Sequence, residues 1–156
     1  MSLSAPQLSP TEGAPFKVAI AAACYNGRLV DGLLERVTAA LGRSGVKPRN
    51  LTVVRVPGSN EVPLAVRLLA RRRPDAIIAL GVVVRGDTIH YELIASAVAH
   101  GLQEISLATE RPVINGVIVA ESAAQAEERC LGRIDRGAEF AEAALTMAAL
   151  RRRFIR

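Results

Sequence analysis

Four short apolar runs without alternation punctuate the chain: residues 17–23 (KVAIAAA), 51–56 (LTVVRV), 76–84 (AIIALGVVV) and 112–120 (PVINGVIVA). Parallel strands buried on both faces carry such runs, because helices cover the two sides and neither face needs polar residues. Between them the spacing becomes helical. Residues 28–41 place Leu29, Leu33, Val37, Ala40 and Leu41 on one stripe, with Gly42 and Gly45 as stop signals. Pro57-Gly58-Ser59-Asn60 turns directly into a second helix, whose Pro63 suits a first turn and which ends near Arg71-Arg72-Arg73. A long helix over 89–107, capped by Asp87 or Thr88, follows the third strand. Two further helices, over 122–131 and 138–152, close the chain around Gly132 and Gly137.

Strand and helix thus alternate as βαβαβαβα with an extra helix at the end. Right-handed crossovers turn that order into an α/β fold: a three-layer αβα sandwich with a four-stranded parallel, flavodoxin-like sheet. Residues 1–15 share neither pattern and read as a flexible or subunit-exchanged N-terminal arm, leaving 16–156 as a single domain. The arm has no basic start and no apolar core, so no export signal is visible and the reading is cytoplasmic.

Composition narrows the classes further. Half the residues are hydrophobic and mean hydropathy is +0.24, yet no run approaches the roughly 20 apolar residues of a spanning helix. The surplus belongs to buried strands or to subunit interfaces. Cys24 and Cys130 stand far apart with no metal-ligand spacing, which argues against a disulfide framework and against zinc. Net charge is +5, but the arginine triplets at 71–73 and 151–153 each end a helix, where cations complement the helix dipole and face water. With aromatic residues at 3% there is no stacking platform for bases, so neither nucleic acid nor membrane is read as a partner.

Parallel sheets bind ligands at the carboxyl ends of their strands. Four segments lie there: Cys24-Tyr25-Asn26, Gly58 to Glu61, Arg85 to His90, and the region around Asn115 to Glu121. Neither a dinucleotide fingerprint nor a Walker loop is present. Arg85-Gly86-Asp87-Thr88 at a helix start offers amides, a hydroxyl and a guanidinium to a phosphate, or serves as a plain capping turn. His90, two residues on, suits a general acid/base or is a surface histidine. His100 has no such neighbours and reads as structural. The Val56–Glu61 turn reads a polyol or heterocycle edge, or is an ordinary connection capped by Asn60. Tyr25 either stacks on a planar ligand or packs.

Together these loops resemble the lumazine synthase family. The likeness rests on Val56-Pro-Gly-Ser-Asn-Glu-Val-Pro63, Ala79-Leu-Gly-Val-Val-Val-Arg-Gly-Asp-Thr-Ile-His-Tyr91, Pro112-Val-Ile-Asn-Gly-Val117 and Gln125-Ala-Glu-Glu-Arg129, in the family's order and spacing. It spans roughly residues 16–155, and Ala143-Ala-Leu-Thr-Met147 resembles the family's last helix.

The resemblance implies condensation of 5-amino-6-(D-ribitylamino)uracil with 3,4-dihydroxy-2-butanone 4-phosphate to 6,7-dimethyl-8-ribityllumazine, without cofactor or metal. Tyr25 then stacks on the pyrimidine, Ser59, Asn60 and Glu61 bind it with its ribityl chain, and the backbone of Val82, Val83 and Val84 reads the ring edge. Asp87 and Thr88 hold the butanone phosphate, Arg129 clamps it from a neighbouring subunit, and His90 is the proton donor. Arg85 and Gly86 belong to the same anion loop. Three positions depart from the family: Cys24 replaces an arginine, Asn115 stands where phenylalanine is usual, and Asp135-Arg136-Gly137 replaces Asn-Lys-Gly one residue early, with Arg136 keeping the charge. The family also implies pentamers, some packed as sixty-subunit shells, and riboflavin synthase as a partner. The absence of an insertion between the last two helices leans towards a shell. A flavodoxin-like flavin- or nucleotide-binding protein without catalysis is the competing reading.

Overall fold

A computed structural model describes residues 11–155. In chain order the elements are β1 (Val18–Ala23), α1 (Gly27–Arg43), β2 (Leu51–Val56), α2 (Val62–Ala70), β3 (Ala76–Val84), α3 (His90–Thr109), β4 (Val113–Ala120), α4 (Ala123–Leu131) and α5 (Arg136–Phe154). Short 3₁₀ turns at Pro48–Asn50 and Ser59–Glu61 lead into β2 and α2. The four strands form one parallel sheet in the order β2-β1-β3-β4, as the alternating pattern requires.

The two inner strands, β1 and β3, are covered on both faces. All six residues of β1 are buried, and four of them are alanine, which lets helices approach closely from either side. Ile20, Ile78 and Leu80 face α1, α4 and α5 with Leu33, Val37 and Leu145. Ala21, Ile77 and Ala79 face α2 and α3 with Val62, Val66, Val98 and Leu102. Burying such side chains stabilises the fold by about 1.5–3 kcal/mol for each Val, Leu or Ile.

The helix ends depart from the sequence reading in detail. Gly42 lies inside α1 rather than after it. Gly45 alone makes the stop, at φ +96°, where a side chain would be strained. It lets Val46 N–H reach the Leu41 carbonyl (3.0 Å) and its own N–H reach that of Gly42 (2.9 Å). α3 is capped neither by Asp87 nor effectively by Thr88: Ile89 occupies the cap position, and His90 N–H is a long 3.4 Å from Thr88 Oγ1. α5 starts two residues early because the Asp135 carboxylate accepts from Ala138 N–H (2.9 Å).

Arg152 does not simply face water. It pairs with Asp75 (3.0 Å), donates to the Pro15 carbonyl (2.6 Å) and lies 4.3 Å from the centre of the Phe16 ring. Of the arm assigned to 1–15, residues 1–10 lie outside the described residues, while Gly13 is buried and donates to the Ser44 carbonyl at 2.6 Å. No described helix is long and apolar enough to cross a membrane, and no described cluster of His, Cys, Asp or Glu could hold a metal.

Both cysteines are free, Cys24 exposed and Cys130 buried in α4. Burial pushes the Cys130 thiol up to about 11, so it stays protonated and shielded at pH 8. A thiol-reactive disulfide reagent at pH 8 is expected to titrate one thiol per native chain and two after unfolding. Two fast-reacting native thiols would show that α4 does not seal the core.

Candidate active site

The site begins with a mismatch in strand length. β1 pairs with β3 only as far as Ala22 opposite Leu80, whereas β4 follows β3 to Val84 opposite Ala120. Ile77 N–H and Arg85 N–H both bond towards β4, so the odd-numbered amides of β3 turn that way. By the same alternation Val82 and Val84 turn their backbone groups towards the side β1 has vacated. The Val82 carbonyl is taken by Asn26 Nδ2 at 2.9 Å. The Val82 and Val84 N–H groups face the crevice. Val83 differs from the expectation: its backbone faces β4 and its side chain lies on the α2/α3 face.

Asn26 sits in the left-handed region (φ 56°, ψ 41°), which asparagine tolerates better than most residues. Its carbonyl accepts from Leu29 N–H (3.0 Å) and Val30 N–H (3.2 Å), starting α1. Tyr25, one residue before, donates its N–H to the Pro57 carbonyl (3.0 Å), and its side chain is 73% exposed. An aromatic face is thereby held over the crevice, largely uncovered among the described residues.

The second wall is the turn before α2. Ser59 is buried to 7% exposure, close against Gly81 of β3, where a Cβ would lie 2.5 Å from Ser59 Oγ. Glu61, not Asn60, ties the turn: its carboxylate accepts from Gly58 N–H at 2.9 Å. Asn60 is left exposed. The third wall is the first turn of α3, with His90 exposed and Tyr91 donating its hydroxyl to Glu92 at 3.0 Å, which raises the phenol above its ordinary value.

These walls enclose about 460 Å³, enough for a small planar ligand. Tyr25, Ser59, Asn60, Glu61, Val82, Val83, Val84 and His90 line it, as the sequence groups them. Asn26, Gly58, Tyr91 and Ile94 line it as well. Asn26, already within the Cys24-Tyr25-Asn26 segment, and Gly81, which lies against the lining residue Ser59, each carried a signal in the sequence. Asparagine favours positive φ at a helix start, and a lone glycine inside a strand marks close approach of another group, here Gly81 to Ser59. A cavity of about 500 Å³ between α1 and α5 lies away from the strand ends.

The remaining candidates do not converge on this cavity. Arg85, Gly86, Asp87 and Thr88 form an exposed loop beside it, and Arg85 pairs with Glu121 at 2.9 Å. Asn115 lies five residues back from the end of β4, opposite Ala79, and its side chain accepts from Val117 N–H (3.0 Å). Arg129 stands on α4, in the layer across the sheet from α2 and α3. Arg136 pairs with Glu139 at 2.6 Å.

A parallel sheet between helix layers, with a polar and aromatic crevice where the central strand outruns its neighbour, defines a flavodoxin-like α/β protein with an open site at its strand ends. The comparisons narrow that class. The sequence model of the 6,7-dimethyl-8-ribityllumazine synthase family matches residues 15–152, and this chain belongs to that family. A 6,7-dimethyl-8-ribityllumazine synthase of Pectobacterium atrosepticum is 45% identical over 137 residues, covering 84% of this chain and 87% of the relative. Similar enzymes of Kineococcus radiotolerans and Pyrococcus furiosus are 42% and 38% identical, each match covering 90% of this chain and 88% of the relative.

Gly81→Ala tests the packing of the crevice. The added methyl meets Ser59 Oγ and must push the turn outward, costing about 1–3 kcal/mol in stability. Adding Ser59→Gly should restore most of the loss, measured by melting temperature at fixed protomer concentration. Additive losses in the double variant would show that the two sites do not touch.

Proposed function

We propose that the chain condenses 5-amino-6-(D-ribitylamino)uracil with 3,4-dihydroxy-2-butanone 4-phosphate, giving 6,7-dimethyl-8-ribityllumazine in riboflavin biosynthesis. The observation that carries this reading is the convergence of Tyr25, Ser59 to Glu61, the free edge of β3 and His90 on one cavity in a chain of this family. The ring stacks on Tyr25, its edge meets the Val82 and Val84 amides, and the ribityl hydroxyls meet Asn60 and Glu61. The 5-amino nitrogen attacks the ketone carbon, and water leaves to give an imine. Loss of a carbon-bound proton expels phosphate and leaves an enol. That enol becomes a ketone, which the ribitylamino nitrogen attacks, and a second water leaves as the ring closes. No oxidant or reductant enters this balance, so no redox cofactor is called for.

Each step moves a proton, and His90 lies where one imidazole serves them in turn. Holding two small molecules together can itself remove about 7 kcal/mol or more of barrier. His90→Ala should therefore lower turnover only about tenfold to a hundredfold, followed by absorbance of the lumazine product at saturating substrate. Wild-type turnover in an intact assembly would remove His90 from the mechanism. Absence of product from the native protein would favour the noncatalytic flavin- or nucleotide-binding reading.

The phosphate side is completed by a second copy of the chain. Arg129 lies in the helix layer away from its own cavity, while α3 buries only Val98 and Leu102, both against the sheet, and leaves its apolar outer face uncovered. Leu93 and Leu107 of α3 are 59% and 70% exposed, which supports a homo-oligomer with α3 at a subunit contact. The family resemblance makes that oligomer a pentamer, with Arg129 joining Asp87 and Thr88 across the contact, and the short α4–α5 link favours the closed shell. Arg129→Ala should raise the apparent KM for the butanone phosphate about tenfold or more, leaving the pyrimidine little affected. Equal losses for both substrates, with altered mass by light scattering, would assign Arg129 to the interface instead.

A further inference from the structure

The pole opposite the cavity, where the strands begin, gathers the cations. Lys17 leads into β1, Lys47 and Arg49 into β2, and Arg71, Arg72 and Arg73 into β3. Parallel pairing sets these strand entries side by side, with Val18 opposite both Leu51 and Ala76. Their proximity is explicit: Lys17, Arg49 and Arg72 line one cavity of about 80 Å³. Further along the same pole, burial holds the Arg111 guanidinium below its ordinary value, and the nearby Arg151 and Arg73 lower it further.

Little offsets this concentration. Asp75 is engaged by Arg152, and all six strand-entry cations are exposed with no ion pair among the described residues. Read along the chain, the two arginine triplets are separate helix ends facing water, with no nucleic acid implied. The fold joins them with Lys17, Lys47 and Arg49 into one surface. A helix carboxyl end amounts to about half a negative charge, which does not account for six clustered cations.

We propose that this pole binds the phosphate backbone of nucleic acid by charge alone, without reading bases. The cations rise from separate strand entries spaced about 5 Å apart across the sheet, matching a ligand of closely repeated negative charges. They do not form the polar face of one amphipathic helix, the usual arrangement for lying in a lipid surface. Base recognition is not supported, since Phe16 is buried beneath Arg152 and offers no face for stacking.

The test uses the full chain in its native assembly and a fluorescent 30-base-pair duplex of arbitrary sequence, titrated by anisotropy between 50 and 200 mM KCl. Binding should be independent of sequence and fall roughly 10²–10³-fold over that range, for about five phosphate contacts. The variant Arg71→Gln/Arg72→Gln/Arg73→Asn should reduce the logarithmic salt slope by up to about 2.7. Asparagine is chosen at 73 because that residue has φ 56°. Lys17→Gln/Arg49→Gln, on different elements, should weaken binding likewise, whereas Arg28→Gln, at the start of α1 on the opposite pole, should not. Lumazine formation should be unchanged in the pole variants, which separates this surface from the catalytic site. The proposal is overturned by absence of duplex binding at 50 mM KCl, by a salt slope unchanged in the triple variant, or by binding to phosphatidylserine vesicles without binding to the duplex.

Discussion

The hydrogen bond from Asn26 Nδ2 to the Val82 carbonyl holds the site together, because it replaces the strand that β3 loses beyond Leu80. A half-buried carbonyl left without a donor there costs about 1–3 kcal/mol. A fifth pairing strand would satisfy it and fill the crevice. A side-chain amide satisfies it from one side and leaves the neighbouring N–H groups open. The same residue turns the chain through positive φ, starts α1 with its carbonyl and sets Tyr25 over the opening. Strand end, helix start and aromatic wall thus depend on one amide.

Most of the fold was legible because a parallel sheet covered on both faces leaves few alternatives. Its inner strands must be short and wholly apolar, and each of the four runs lies within a residue of the observed strand. Caps were less legible. A cap depends on a distance between one side chain and one free amide, and residue type alone does not give it. Asn60 is the better cap by preference, yet the Glu61 carboxylate reaches Gly58 N–H because the turn tightens into a 3₁₀ segment. Gly42 and Gly45 are equally good breakers by composition. Only the C-terminal hydrogen bonds decide between them.

The cavity was legible as a set of loops, since topology places the carboxyl ends together whatever the side chains do. Which face each residue takes was not. Val82, Val83 and Val84 form one motif, but alternation sends the middle backbone towards β4. Asn115 belongs to a strand whose end is near the site, yet it lies too far back along that strand. Arg129 follows β4 in sequence by nine residues. The helix carrying it packs on α1 with Ala126 and Cys130, behind the sheet as seen from the cavity. In the proposed assembly the Arg129 contact is made by another copy, which no single-chain pattern reveals.

Rigidity on that far side matters if Arg129 serves a neighbouring chain, because a charge delivered across an interface is only as well placed as the helix that holds it. The Arg36 guanidinium supplies that hold, donating to the carbonyls of Leu131 (2.6 Å), Gly132 (2.9 Å) and Ile134 (3.2 Å) where α4 ends. These carbonyls would otherwise be unsatisfied at a helix terminus, and a charged donor binds them more strongly than a neutral one. Gly137 makes the arrangement possible: a Cβ there would meet Arg36 Cβ and the Val37 nitrogen, so only glycine lets α5 pass this close to α1. The departure from the family's usual residues at 135–137 therefore keeps its glycine for packing within the chain. Arg136, turned to Glu139, has its charge engaged at the start of α5. On the proposed reading the phosphate contact rests on Arg129, anchored through Arg36 to the first helix of its own chain.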